Sequence, residues 1–366
     1  MKVLVLNSGS SSLKCCIYDL SKAPDQLVVP IWEDKIEWNN VKESGSIKNE
    51  LASILSDKKI DCIGHRIVHG GKKYQASTLI NEGVKNEIRN LAELAPLHNL
   101  ADLEGIEVLG QLFPGIPQIA VFDTAFHRTL PLHAAIYPGP YQWYEEGIQR
   151  YGFHGISYQY CSRRANTLLG STVSNMVICH LGSGASLCAI KNGESIDTTM
   201  GFTPLEGLMM DTRSGTVDPG ILLYLSKKKT PEALSKELYE ESGLLGLSGI
   251  SSDMRDILKQ TSKGNDRAQL AIDVYVHRLA TMIGSMVVSL GGLDTLVFTA
   301  GIGENSTYIR DQVCARLSFF GVHLSKDPTS TTEDLVISSS NSKVKVLLIH
   351  TQEAFEIARE CWEKMN

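Results

Sequence analysis

The sequence predicts two α/β domains with mixed sheets, related by duplication. Short apolar runs that read as strands alternate with longer helical patterns along the chain. A β-hairpin opens each half, and the Gly/Ser-rich turn of the first recurs in the second. Gly9 and Gly184 are separated by close to half of the 366-residue length. Two such turns facing one cleft between the halves are the expected ligand site.

The first hairpin lies within Met1 to Leu20, where Val3–Leu6 and Leu13–Tyr18 flank a turn of Asn, Gly and four serines. Small hydroxyls and flexible backbone let such a turn offer several N–H and O–H donors to one anion, for which phosphate is the natural candidate. It is not a P-loop, because the second Gly before Lys14 is missing and Cys15 stands where Ser or Thr would hold a metal. The second copy runs from Met176-Val-Ile-Cys179 through His180-Leu-Gly-Ser-Gly-Ala-Ser186 to Leu187–Ile190, with a further turn at Lys191-Asn-Gly193. Other strands are predicted at Cys62–Ile67, Ile119–Phe122, Thr295–Thr299 and Val344–Ile349. Helices are predicted at Val84–Leu94, Tyr158–Leu169, Leu270–Leu290 and Glu353–Lys364, the last expected to pack back onto the first domain. Ser325–Thr332 and Ser338–Ser342 read as surface loops.

Hydrophobic content of 43% and charged content of 21% describe a soluble globular chain, and a formal charge of −6 gives no electrostatic case for nucleic acid or an anionic membrane. Eight scattered cysteines without a CxxC pair, several inside apolar runs, read as reduced buried thiols of a cytosolic protein. The opening apolar run is too short for a secretory signal. The most hydrophobic helical stretch, Leu279–Leu290, is too short to span a bilayer and is expected to be a core helix.

Five segments bring polar groups beside small or apolar residues, as a dry pocket with a few convergent charges requires. They are His65-Arg-Ile-Val-His-Gly-Gly71, Ala95-Pro-Leu-His-Asn99, Val121-Phe-Asp-Thr-Ala-Phe-His127, Arg150-Tyr-Gly-Phe-His-Gly155 and Asp211-Thr-Arg-Ser-Gly215. His65 and His69, on one face of an extended stretch, lack an evident third zinc ligand. Arg66 reads as an anion clamp, with a structural salt bridge as the alternative. Val68, two residues on, is expected on the same strand face. Asp123 at a strand end reads as a metal-directed carboxylate or as an N-cap. Leu293–Asn305 is a strand running into Gly301-Ile-Gly303 and then a helical segment, a turn that lets a nucleotide approach the backbone. It is not a dinucleotide fingerprint, because the third Gly is absent and the strand falls late in the chain.

In this order, the segments closely resemble the acetate kinase family over nearly the whole chain. The shared motifs are Asn-x-Gly-Ser-Ser-Ser-x-Lys, His-Arg-x-Val-His-Gly-Gly, Phe-Asp-Thr-Ala-Phe-His, Tyr-Gly-Phe-His-Gly, Gly-Phe-Thr-Pro-Leu-Glu-Gly and Gly-Ile-Gly-Glu-Asn-Ser. The resemblance implies duplicated ribonuclease-H-like domains of the actin and sugar kinase type with an interdomain active-site cleft. The first would hold 1–150 plus the C-terminal helix at about 353–366, and the nucleotide-binding second 151–352. It also implies a cytoplasmic homodimer with Mg²⁺ (or Mn²⁺) and ATP/ADP, phosphorylating acetate reversibly to acetyl phosphate.

The same resemblance implies that Arg66, Asp123, His154 and Arg213 are catalytic. Arg66, Val68, Leu97, His98, Phe153 and Pro204 would bind the acid. Ser10, Ser12 and Lys14 would form the first phosphate turn and His180, Gly182, Ser183 and Gly184 the second. Asp253, Met254, Arg255, Gly301, Ile302, Gly303 and Asn305 would bind nucleotide, and Asn7, Asp123 and Glu353 would be directed at the metal. The inventory suits the reaction, because a carboxylate needs no strong base and catalysis consists of neutralising phosphoryl charge and aligning attack.

The chain departs from the family pattern at Ser183, where Asn is usual, and at Asp211, where Gly is usual, which places a carboxylate two residues from Arg213. It reads Thr351-Gln-Glu-Ala instead of Thr-Asn-Glu-Glu, and Leu20–Ile60 is shorter than usual. The competing readings are a propionate kinase, differing mainly in pocket volume, and an actin-like or chaperone-like ATPase, against which the paired arginines argue.

Overall fold

The structure is a computed structural model that describes residues 1–8, 12–22, 24, 26–37, 46–93, 96–325 and 333–366, without the side chains of 8, 12, 37, 46, 47, 93 and 96–98. The chain forms two compact units. One contains Met1–Arg128, Phe153–Tyr160 and Gln352–Asn366; the other contains Thr129–Gly152 and Cys161–Thr351. The division is therefore not a single cut near 150, since 129–152 belongs with the second unit and 153–160 with the first.

The first unit is built on β1 (Lys2–Ser8), β2 (Ser12–Asp19), β3 (Trp32–Glu37), β4 (Cys62–Ile67), β5 (Thr78–Leu79) and β6 (Gln118–Phe122), in the order β3-β2-β1-β4-β6-β5. Strands β1, β2 and β3 form an antiparallel meander, β4 and β6 continue parallel to β1, and β5 closes the edge antiparallel. The second unit uses β7 (Asn175–Leu181), β8 (Ala185–Lys191), β9 (Glu194–Thr198), β10 (Thr295–Thr299), β11 (Leu335–Val336) and β12 (Lys345–Leu348), in the order β11-β12-β10-β7-β8-β9. Read from β9, that sheet repeats the first strand for strand and direction for direction. The duplication suggested by two hairpins extends to all six strands of each sheet.

The central strands read as unbroken apolar runs because both sheet faces are covered. On one face of the first sheet, Leu4, Leu6, Leu13 and Ile63 pack with Leu51, Leu55, Val108 and Leu109 from helices Ser46–Leu55 and Pro96–Leu112. Helix Glu353–Met365 lies against β1 and β4 in the same unit. Its closeness explains Gly64: an added Cβ would sit 2.5 Å from Cys361 Sγ and 2.8 Å from Ile357 Cγ2.

In the second unit, helix Asp266–Leu290 packs on β7, β8 and β9. Asn265 caps it by accepting from the Ala268 N–H, and Gly291 ends it at φ +77°. At 25 residues it is longer than its apolar C-terminal half suggests, and by length and composition alone it could cross a membrane. Its buried stripe from Ala268 to Leu290 is what joins it to the sheet. All eight cysteines are buried, and none forms a disulfide.

Candidate active site

In the first unit, three neighbouring parallel strands end in polar groups: Asn7 on β1, Arg66 on β4 and Asp123 directly after β6. The carboxyl ends of parallel strands are where open α/β sheets present ligand groups. Arg66 Nη2 donates to Asp123 Oδ2 at 2.8 Å, with the two side chains 13% and 1% exposed. Burial alone would lower the Arg66 pKa, but the carboxylates of Asp123, Glu353 and Asp102 outweigh it and hold the guanidinium firmly charged.

Asp123 also receives the backbone N–H of His154 at 3.1 Å and of Ile156 at 3.4 Å, while its carbonyl accepts from Gly155 N–H at 2.8 Å. It thus caps the helix Gly155–Leu169, not the turn that follows it in sequence. His154 holds φ +59°, a left-handed conformation that costs a non-glycine residue of order 1 kcal/mol. At Gly155, a Cβ would come within 2.3 Å of the Asp123 carbonyl oxygen, so only glycine fits against that backbone.

Asn7 Nδ2 donates to Glu353 Oε2 at 3.1 Å. Amide and carboxylate oxygens are hard donors of the kind Mg²⁺ accepts, and Mg²⁺ commonly takes one or two carboxylates and completes its shell with water and phosphate. Among the described residues no cluster of three His, Cys, Asp or Glu could hold a metal alone. Asn7 and Glu353 therefore fit a phosphate-assisted Mg²⁺ site, and Asp123 would join them alongside its bonds to Arg66 and the helix amides.

The β4 ladder stops at Ile67, so Val68 and His69 lie beyond the strand and share no strand face with Arg66 and His65. Side chains fix the loop instead. Asp102 Oδ2 accepts from Val68 N–H at 3.2 Å, Asn99 Oδ1 from His69 N–H at 3.2 Å, and Thr124 Oγ1 from Gly70 N–H at 3.1 Å. Val68 and Phe153 are both buried, and the His69 and Phe153 rings meet edge-on at 5.5 Å. His65 contacts the Gln118 side-chain amide at 2.7 Å, and burial pushes its pKa down to about 4, so it is not a cation near neutrality. Lys14 is exposed and pairs with Glu33 at 3.6 Å. Ser10 lies outside the described residues, as do the side chains of Ser12, Leu97 and His98.

In the second unit, the turn Gly182–Gly184 joins β7 to β8 and is closed by Gly182 N–H donating to Gly184 O at 3.2 Å. A Cβ on Gly182 would sit 3.6 Å from His180 Nε2 and 3.7 Å from the Ala300 Cβ. The turn is thereby placed against the start of helix Ala300–Asn305, which follows the neighbouring parallel strand β10. Gly301 opens into space, and Ala300 takes φ +65°. Fully buried Arg310 donates to the Gly303 and Glu304 carbonyls at 2.8 Å each. The Ala300 N–H donates to Glu304 Oε1 at 2.7 Å, so the Gly-rich turn, at the end of a parallel strand, is the part of this corner with open backbone for an anion.

Asp253 caps helix Met254–Thr261 and pairs with exposed Arg255 at 2.5 Å, while Met254 is buried. Arg213 Nη1 donates to Pro204 O at 3.3 Å. The loop carrying Pro204 is anchored by Glu206, which pairs with Arg150 at 2.8 Å and accepts from the Tyr137 hydroxyl. Asp102 and Arg310 are thus supports that motif reading passes over, while Asn99, Arg150 and Glu206 lie in quoted motifs without an assigned role. Their only sequence signal is a polar side chain inside a helical pattern or motif.

A cation locked to a cap carboxylate in one unit and a Gly-rich turn beside a helix start in the other define a phosphotransferase of duplicated α/β units. The acetokinase family model matches residues 45–359. A Microcystis aeruginosa protein named acetate kinase is 50% identical, with 99% of each chain covered. Among solved structures, acetate kinase from Porphyromonas gingivalis is 36% identical with a TM-score of 0.88 and 100% of both chains covered. A propionate kinase from Francisella tularensis is 37% identical with a TM-score of 0.88 and 99% of both covered. The chain belongs to the acetokinase family, and its duplicated fold is the one that membership implies.

Proposed function

We propose that this chain is a Mg²⁺-dependent acetate kinase that reversibly transfers the terminal phosphoryl group of ATP to acetate. The observation that carries the reading is the Arg66–Asp123–His154 cluster at the ends of β4 and β6. The acceptor carboxylate is itself an adequate nucleophile, so the protein's task is to position and to neutralise charge. Arg66, kept charged and oriented by Asp123, orients the acid or the transferring group; its fork suits either. His154, set at the start of its helix, donates to the phosphoryl oxygens, and Arg213 neutralises charge there. Asn7 and Glu353 would hold Mg²⁺, which when bound supplies charge neutralisation to the phosphates.

The Gly182–Gly184 turn and the start of helix Ala300–Asn305 take the nucleotide phosphates and ribose, with Asp253, Met254 and Arg255 toward the adenosine. Val68 and Phe153 shape the apolar end for a methyl group. A homodimer is supported by helix Pro219–Leu225, which buries none of its side chains and leaves Leu223 70% exposed. Eight buried cysteines outside any disulfide support a reducing, cytoplasmic setting.

The propionate reading rests on the Francisella likeness and differs by one methylene, worth about 1–3 kcal/mol of discrimination. A hydroxamate assay with ATP and Mg²⁺ across acetate, propionate and butyrate tests both readings. The acetate reading expects the highest kcat/KM for acetate, and a larger value for propionate overturns it. ATP hydrolysis unaffected by any acid would replace both readings with an ATPase.

A further inference from the structure

Ser183 and Asp211, two positions that depart from the family pattern, meet each other. The Asp211 carboxylate accepts a hydrogen bond from the Ser183 hydroxyl, and its backbone N–H donates to Ser183 O at 3.4 Å. A carboxylate is thus fastened to the turn that would cradle the nucleotide phosphates. Its surroundings do not neutralise it. Asp253, at the start of helix Met254–Thr261, repels it more strongly than Arg213 attracts it. Tyr275, from helix Asp266–Leu290, lies within its electrostatic reach with a buried hydroxyl that has no partner among the described residues. Helix Gly243–Ser248 contributes only the Leu245 N–H, bonded to the Asp211 carbonyl at 3.0 Å. Burial, the largest influence, pushes Asp211 up to about 6.

We propose that Asp211 is a specificity-determining residue of the nucleotide site: a polyphosphate seated on the Gly182–Gly184 turn binds together with one proton, taken from solvent by the Asp211 carboxylate. Neutral, the side chain changes from an acceptor that repels the anion into an O–H donor. One proton moves from buffer to carboxylate, and no other bond changes. By linkage, nucleotide affinity falls as pH rises through about 6 and beyond, a dependence that glycine at this position would lack. The inference rests on the ATP/ADP reading of this turn.

Calorimetric titration of MgADP into the wild type, Asp211→Asn and Asp211→Gly, in two buffers of different ionisation heat, counts the protons taken up. Near pH 7 the wild type is expected to take up roughly half a proton more than either variant. Asparagine keeps the shape and the Ser183 hydrogen bond, so its difference from the wild type reports charge. That variant is expected to bind MgADP about tenfold tighter at pH of about 8 and equally at about 5. Equal proton uptake in wild type and variants, with tight binding in all three, overturns the inference while leaving the kinase reading intact. Absence of MgADP binding to the wild type overturns both.

Discussion

Arg66 and Asp123 form a buried ion pair whose carboxylate also caps the helix carrying His154. One acidic side chain therefore sets the charge of the first residue and the position of the second.

Removing that carboxylate leaves a buried guanidinium unpaired and a helix start uncapped. Asp123→Ala is expected to destabilise the protein by about 3–5 kcal/mol, read by chemical denaturation. Asp123→Asn, which keeps an acceptor for the helix amides, is expected to fold better yet lose most of kcat. A fully active Asn variant would show that the pair is structural only.

Arg213→Ala is expected to lower kcat by about 10²-fold or more while changing the KM for ATP little, because its charge is spent on the group in transfer. Asp211 hydrogen-bonds Ser183 and also lies within electrostatic reach of this arginine. Steady-state kinetics decide the matter, and near wild-type kcat would remove Arg213 from the chemistry.

Glu353→Ala is expected to raise the Mg²⁺ concentration needed for half-maximal rate, since it removes a carboxylate that fits the ion and frees the Asn7 amide. A Mg²⁺ titration that overlays the wild type would reduce Glu353 to the first turn of a packing helix.

Val68 is buried and its N–H is held by Asp102. Val68→Ala is expected to narrow or reverse the acetate-over-propionate ratio in kcat/KM, by an amount in keeping with about 1–3 kcal/mol per methylene. An unchanged ratio would place Val68 outside the pocket.

Asp211 also bears on stability. Its pKa rises on folding from an ordinary 3.8 to about 6, so the folded state binds the proton more tightly than the unfolded one. The contribution is fully present below pH 3.8 and is lost as pH rises through about 6. Asp211→Asn is therefore expected to be more stable than the wild type near pH 8 by about 1 kcal/mol, after discounting for partial exposure, with the gain shrinking toward pH of about 4. Melting curves at both pH values check the sign.

Much of the scaffold is legible because its central strands are continuous apolar runs with turn residues at both ends. Cys62–Ile67 and Thr295–Thr299 fall where the pattern puts them. Strand β3, Trp-Glu-Asp-Lys-Ile-Glu, escapes because it lies at the sheet edge and carries charge on most positions. Strands β5 and β11 are two-residue edges with no pattern to read. The principal charges of the site are legible as motifs, but their supports are not. Asp102 reaching Val68, Arg310 reaching Gly303 and Ser183 reaching Asp211 are tertiary pairings between segments that carry no local sign of one another. The same holds for Val68, where the expected strand face fails because Asp102 captures the N–H one residue past the ladder.

Helix Glu353–Met365 has a consequence for synthesis. It covers β1 and β4, strands made well before it in translation, and Gly64 is shaped to its closeness. While the ribosome builds the intervening three hundred or so residues, that apolar face stays open to water and to neighbouring chains. The second unit, complete by Thr351, can settle before the first has received its last helix. The strands of the first unit precede the second unit in synthesis and are covered only after it, and Asn7 meets Glu353 only then.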